Sequence, residues 1–209
     1  AAADELERTT RDLGFSGALI NGTTNGAYLD DDRFSVLWER ASDLDVPIYI
    51  HPNNPADTPA MYQGHSEMWG PVWSWTVETG SHALRILFSG VFDRYPNAKL
   101  ILGHMGETLP YQLWRFDSRW KISNRGSKKL ELAPSEYFKR NFWCTTAGVC
   151  SDEPMRCAID ALGVERVMFS VDYPFERSEE TGEWIETAQL STSERSLVCY
   201  ENAKSLLKL

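Results

Sequence analysis

Four side chains in this sequence combine residue type and position in a way that suits metal-assisted acid–base chemistry. His51 follows the apolar run Ile48-Tyr49-Ile50 and precedes Pro52, so the chain direction is set where the imidazole emerges. A neutral imidazole there is either a ligand for a divalent metal or a histidine hydrogen-bonded in a loop. His104 stands in Gly103-His104-Met105-Gly106-Glu107, where two glycines let backbone and ligand approach closely. Glu107 is expected near the start of the next helix, where a carboxylate is favoured electrostatically and can orient the imidazole. An ordinary helix-start carboxylate is the plainer alternative. Asp172 closes the apolar run Met168–Val171, ahead of Tyr173-Pro174-Phe175. A carboxylate at the end of such a run needs a cation or hydrogen bonds to be buried. Arg115, in Leu113-Trp114-Arg115-Phe116-Asp117, is either a planar fork for a substrate carboxylate or the partner of Asp117. His82 reads as a packing or capping histidine on a helix, and His65 as part of a polar loop.

The elements that must position these groups alternate between strand-like and helix-like. Short apolar runs at 17–20, 47–50, 99–103, 142–145 and 167–171 predict buried strands. Between and around them, helices are predicted over 4–13, 33–44, 71–89, 108–120, 152–162 and 193–207, and a surface loop over 121–132. Continuous apolar strands separated by helices imply a parallel sheet covered by helices, either doubly wound or a (β/α)₈ barrel. No glycine-rich dinucleotide fingerprint follows the first strand. His51, His104 and Asp172 instead fall at the C-terminal ends of three different predicted strands, where barrel enzymes carry their catalytic groups. The expected fold is therefore an α/β (β/α)₈ TIM barrel, read as a single domain over residues 1–209. Only five strands can be counted, so the N-terminal strands are expected to be missing from this chain, leaving one side of a curved parallel sheet uncovered.

Composition narrows the class further. The 209 residues are 42% hydrophobic and 24% charged, as in ordinary globular proteins. A net charge of −9 argues against nucleic acid or an anionic membrane as partner. No apolar run approaches the roughly 20 residues of a membrane span. Cys144, Cys150, Cys157 and Cys199 include no C-x-x-C pair and are read as free thiols, which places the protein in the cytoplasm. Among the eight tryptophans, Trp69, Trp73, Trp75 and Trp143 lie near the segments carrying the candidate site. Such residues build either an aromatic-lined pocket or a packed core.

The order of these segments carries more than any one of them. Strand-His-Pro, then Gly-His-Met-Gly-Glu with Trp-Arg-Phe-Asp downstream, then Phe169-Ser170-Val171-Asp172-Tyr173-Pro174-Phe175-Glu176 resembles the metal-dependent decarboxylases of the amidohydrolase superfamily. The hydroxybenzoate branch (2,3-dihydroxybenzoate, γ-resorcylate and salicylate decarboxylases) is the nearer, and aminocarboxymuconate semialdehyde decarboxylase the more distant. The resemblance implies an amidohydrolase-type barrel with one divalent ion (Zn, Mn or Mg) and no organic cofactor. It implies His51 and Asp172 as metal ligands, His104 and Glu107 as a pair beside the metal with Asp172 also catalytic, and Arg115 and Trp73 as substrate contacts. The family takes its other ligands from a Glu-x-His, Glu-x-x or His-x-His motif on the first strand. No such motif occurs here, and it is expected upstream of Ala1.

The implied reaction is non-oxidative loss of CO₂ from a small aromatic carboxylic acid, an ortho-hydroxybenzoate, in a homodimer or homotetramer. Direct loss would leave an aryl carbanion, whereas protonating the carboxylate-bearing ring carbon first gives an intermediate from which CO₂ departs readily. Asp172 is the candidate acid. Two other readings stand beside it: a metal-dependent hydrolase of an ester, lactone or amide, and a binding or scaffold protein with a decayed site.

Overall fold

The structure, a computed structural model, describes residues 1–123 and 130–209. Of the predicted loop over 121–132, the first three residues complete a helix, and residues 124–129 lie outside the described residues. The described residues form a five-stranded, all-parallel sheet from β1 (Ala18–Asn21), β2 (Pro47–His51), β3 (Lys99–Leu102), β4 (Phe142–Thr145) and β5 (Val167–Met168). The spatial order is β1-β2-β3-β4-β5, the same as the chain order, with β1 and β5 at the edges. A doubly wound sheet reverses direction at a switch point, and this one does not. The helices are α1 (Ala2–Leu13), α2 (Ser35–Leu44), α3 (Ser74–Phe88), α4 (Leu109–Ser123), α5 (Pro134–Asn141), α6 (Asp152–Leu162) and α7 (Ser178–Thr187). A final run joins α8 (Thr192–Ser196), a π-helical turn Leu197–Glu201 and α9 (Asn202–Leu207).

Strand periodicity of two divides each strand between two faces. Ile48 and Ile50 of β2, Leu100 and Leu102 of β3, Phe142 and Cys144 of β4 and Val167 of β5 pack with Leu37, Trp38, Ile86, Phe92, Phe138 and Ile159 into the main core. The alternate residues Tyr49, Ile101, Trp143 and Met168 gather in a smaller cluster closed by Leu206 and Leu207 of α9. Above it lies an open apolar hollow of about 370 Å³ lined by Leu19, Tyr49, Ile101, Thr145 and Met168, in which Leu19 stays exposed. Across this face the Tyr49 hydroxyl reaches Thr145 Oγ1 at 3.2 Å, passing over Gly103 of the intervening strand end. A methyl group on Gly103 would sit 2.9 Å from that hydroxyl, so close approach and not backbone angle demands glycine there.

The helices over Pro134–Asn141 and Ser178–Thr187 were not expected, and two expected elements are cut short. The helix predicted from Pro71 begins at Ser74, because the Ser74 hydroxyl accepts the Gly70 N–H at 2.8 Å and the chain breaks at Trp73 (φ −153°, ψ −48°). The strand predicted over 167–171 pairs only at Val167–Met168. Beyond it the Phe169 N–H donates to the Val198 carbonyl, and the Ser170 N–H to Thr146 Oγ1, which takes those groups out of the ladder. No described helix is long and apolar enough to cross a membrane, and all four cysteines are free thiols.

Candidate active site

His51 is the last residue of β2, and its position on the ladder follows from the register Ile50↔Leu102 and Asn21↔His51. Its Nδ1 lies 2.8 Å from the Pro52 carbonyl oxygen. A carbonyl only accepts, so Nδ1 carries the proton and the neutral ring keeps its lone pair on Nε2. Past the end of β3 the chain enters an unusual turn. His104, Met105, Gly106, Glu107 and Thr108 all have positive φ, between 49° and 79°. Glu107 thus precedes α4 in a left-handed turn and does not sit in its first turn. Left-handed backbone costs a non-glycine residue about 1–2 kcal/mol, and four of these five residues are not glycine. Strain of this kind persists where surrounding structure over-determines it, and it clusters at functional sites.

The turn brings His104 and Glu107 together. Glu107 is 1% exposed, and its Oε1 lies 2.7 Å from His104 Nδ1. Its other oxygen accepts from the Thr76 hydroxyl of α3 at 2.8 Å. On the far side of the imidazole, His104 Nε2 faces Asp172 Oδ2 at 3.7 Å. Burial pulls the His104 pKa down, but the hydrogen bond and charge of Glu107 and the charge of Asp172 outweigh it, and the net shift is upward. Asp172 also has positive φ (78°), ahead of a cis peptide at Tyr173–Pro174. Gly148, after β4, closes the constellation: a methyl group there would lie 2.8 Å from His104 Cδ2 and 3.1 Å from Asp172 Oδ2.

His51, His104, Glu107 and Asp172 all line one cleft of about 540 Å³ at the C-terminal ends of the strands, with Trp75, Thr76, Val72, Phe175 and Glu176. His51 Nε2 and the Asp172 carboxylate suit a divalent cation as nitrogen and oxygen donors. Among the described residues, however, no group of three or more His, Cys, Asp and Glu side chains converges as a metal cluster. The two therefore fit as part of a coordination shell.

The structure separates other expected groups from this cleft. Trp73 is half-exposed beside the helix break and is not among the lining residues; Trp75, two residues on and inside α3, is, with its indole N–H donating to Asn54 Oδ1 at 2.8 Å. Arg115 is exposed on α4 and lines a different depression with Phe88, Phe116, Arg119 and Trp120. Its alternative partner Asp117 is taken up by the backbone N–H and hydroxyl of Ser135. His82 is a buried structural acceptor for the Leu29 N–H, and His65 pairs with Glu67 on the surface. Thr76 and Gly148 were missed from sequence because neither residue type marks chemistry by itself, and Trp75 was one of several tryptophans with no feature to single it out.

The amidohydrolase family model matches residues 1–209. The chain is 41% identical over 218 residues to the γ-resorcylate decarboxylase of Polaromonas sp. (strain JS666), covering all of this chain and 66% of that relative. It superposes with a TM-score of 0.92 and 40% identity on the crystal structure of a dihydroxybenzoic acid decarboxylase from Polaromonas sp. JS666 with bound manganese and the inhibitor 2-nitroresorcinol, covering 99% of this chain and 65% of that one. More distantly, it is 28% identical over 184 residues to the 2-amino-3-carboxymuconate-6-semialdehyde decarboxylase of Dictyostelium discoideum, covering 86% of this chain and 49% of that relative. The chain thus spans about two thirds of the length of the nearer relatives described here.

Proposed function

Because this chain belongs to the amidohydrolase family, we propose that the protein catalyses metal-dependent, non-oxidative decarboxylation of an ortho-hydroxybenzoate to a phenol and CO₂. The observation that carries this reading is the convergence of His51, His104, Glu107 and Asp172 in a single cleft walled by Trp75 and Phe175. The likeness to relatives named for hydroxybenzoate decarboxylation supports it.

His51 and Asp172 are the residues that would hold the divalent ion: manganese on the precedent of the solved relative, with zinc and magnesium as alternatives. Bound there, the ion would supply Lewis acidity toward the substrate. The protein's own groups handle the proton. Glu107 accepts from His104 Nδ1 and holds the imidazole with Nε2 toward Asp172. The His104–Asp172 pair, its Nε2 and Oδ2 3.7 Å apart, delivers a proton to the ring carbon that bears the carboxylate, with Asp172 as the donor. The C–C bond to the carboxylate then breaks, its electron pair restores the aromatic ring, and CO₂ leaves. Solvent returns one proton to the His104–Asp172 pair, which balances the reaction. The electron-donating ortho-hydroxyl makes the ring basic enough to be protonated, and Trp75, rather than Trp73, supplies the flat aromatic wall.

The test is a panel of benzoates incubated with the protein and manganese, with released CO₂ and phenol quantified. Turnover of 2,6- or 2,3-dihydroxybenzoate with inert benzoate and para-hydroxybenzoate is expected. Equal turnover of para-hydroxybenzoate removes the ortho requirement, and no CO₂ from any member of the panel removes the reading.

A further inference from the structure

A carboxylate that orients a histidine must itself be oriented. Glu107 is buried, and both of its oxygens are engaged: Oε1 by His104 Nδ1 at 2.7 Å and Oε2 by the Thr76 hydroxyl at 2.8 Å. Without the second bond the carboxylate is free to rotate about its last torsion, which is broad and nearly two-fold, and the plane it offers to the imidazole is lost. The turn that carries the pair is left-handed throughout. Within it the Gly106 N–H donates to the Gly103 carbonyl at 2.7 Å and the Thr108 N–H to the Gly106 carbonyl, and positive φ runs through all five residues from His104 to Thr108. A side-chain restraint on the Glu107 carboxylate comes from α3. Thr76 and Gly80 are four residues apart and share one helical face. At Gly80 a methyl group would lie 3.5 Å from the Glu107 carbonyl oxygen and 3.4 Å from Leu109 Cδ2, so the helix packs directly on the turn. On its other side α3 is fixed by Tyr28 donating to Glu78, Leu29 N–H donating to His82 and Arg85 paired with Asp30.

We infer that Thr76 is a positioning residue: its hydroxyl, anchored on α3, locks the Glu107 carboxylate and through it the direction in which His104 presents Nε2. The catalytic consequence rests on the decarboxylase reading, while the geometric one does not. A helical threonine hydroxyl usually bonds back to its own helix, and this one is spent across an element boundary on a buried carboxylate.

The experiment compares Thr76→Val, which keeps the shape and removes the hydroxyl, with Thr76→Ser, which keeps the hydroxyl. The full protein is labelled with ¹⁵N-histidine, and the His104 Nδ1–H resonance is followed alongside kcat and KM for 2,6-dihydroxybenzoate. The expected result is a shifted or broadened Nδ1–H resonance in Thr76→Val. Its kcat should fall by about tenfold or more, as for loss of a hydrogen bond to a charged group, with KM within about twofold. Thr76→Ser should restore both. An unchanged resonance in Thr76→Val overturns the inference, as does a Thr76→Ser variant as impaired as Thr76→Val. A rise in KM alone, with kcat intact, also overturns it, since Thr76 lines the cleft and would then be a substrate contact. If no preparation turns over substrate but the resonance responds as expected, the positioning role stands and the reaction assignment falls. Should Thr76→Val not fold, Thr76→Ala takes its place in the same comparison.

Discussion

Acid should unfold this protein partly through His82, and the size of the effect can be worked out. His82 is 1% exposed on α3, edge-on to the Tyr28 ring, and its Nε2 accepts the Leu29 N–H at 2.8 Å. Only a neutral ring accepts at that nitrogen. Burial pushes its pKa down from 6.5 to about 4, with Asp30 pulling weakly upward and Arg85 downward. The unfolded chain binds this proton below about pH 6.5, and the folded chain only below about 4. The stabilisation is therefore complete above pH 6.5 and is lost as the pH falls from there toward 4. The gap of about 2.5 units corresponds to about 3 kcal/mol at 1.36 kcal/mol per unit. His82→Gln retains an acceptor for Leu29 N–H at a similar reach and cannot titrate. Urea unfolding of both proteins between pH 4 and 8 should show nearly equal stability at pH 8. The wild type should then lose more than the variant as the pH falls, approaching a 3 kcal/mol difference in slope integrated down to pH 4. Parallel stability profiles would refute this account of His82.

Three further outcomes follow from the site's construction. Gly106→Ala adds a methyl group at φ +79° and 3.0 Å from Pro110, so it should destabilise the protein by about 1–3 kcal/mol, read as a lower thermal midpoint. Gly103→Ala should be destabilising because of the Tyr49 hydroxyl 2.9 Å away. Tyr49→Phe in the same chain should recover part of the loss, a coupling above about 0.5 kcal/mol in a double-mutant cycle. Chelation should abolish turnover and added manganese restore it, and His51→Ala should raise the manganese concentration required for half-maximal activity, as followed by metal titration.

Much of the sheet was legible because each buried strand is a run of apolar residues bounded by loop signals. The ends of those runs at Ile50, Gly103 and Val171 put His51, His104 and Asp172 next in sequence, and all three line one cleft. The left-handed turn was not legible. It contains one glycine, and histidine, methionine, glutamate and threonine do not announce positive φ, so Glu107 read as a helix start. Nor could alternation along the chain say that Thr76 of α3 meets Glu107, thirty-one residues away. Such contacts depend on how a helix seats on a neighbouring turn, which Gly80 permits by leaving room. The shortened β5 has the same origin: Val198 and Thr146, remote in sequence, capture the groups that would have extended it. Helical periodicity from Pro71 also gave no way to choose among the tryptophans: the helix starts at Ser74, and Trp75, not Trp73, is among the residues lining the cleft.

The proposed role of Asp172, beside His104, as the acid for ring protonation is probed by Asp172→Asn. The amide keeps the shape and removes the exchangeable carboxyl proton. CO₂ release from 2,6-dihydroxybenzoate, measured in manganese-saturated wild type and variant, should fall by about 10²–10⁴, with no ester or lactone hydrolysis in either preparation. Wild-type CO₂ release by Asp172→Asn would contradict the account. So would an esterase or lactonase activity that the substitution abolishes in a protein releasing no CO₂.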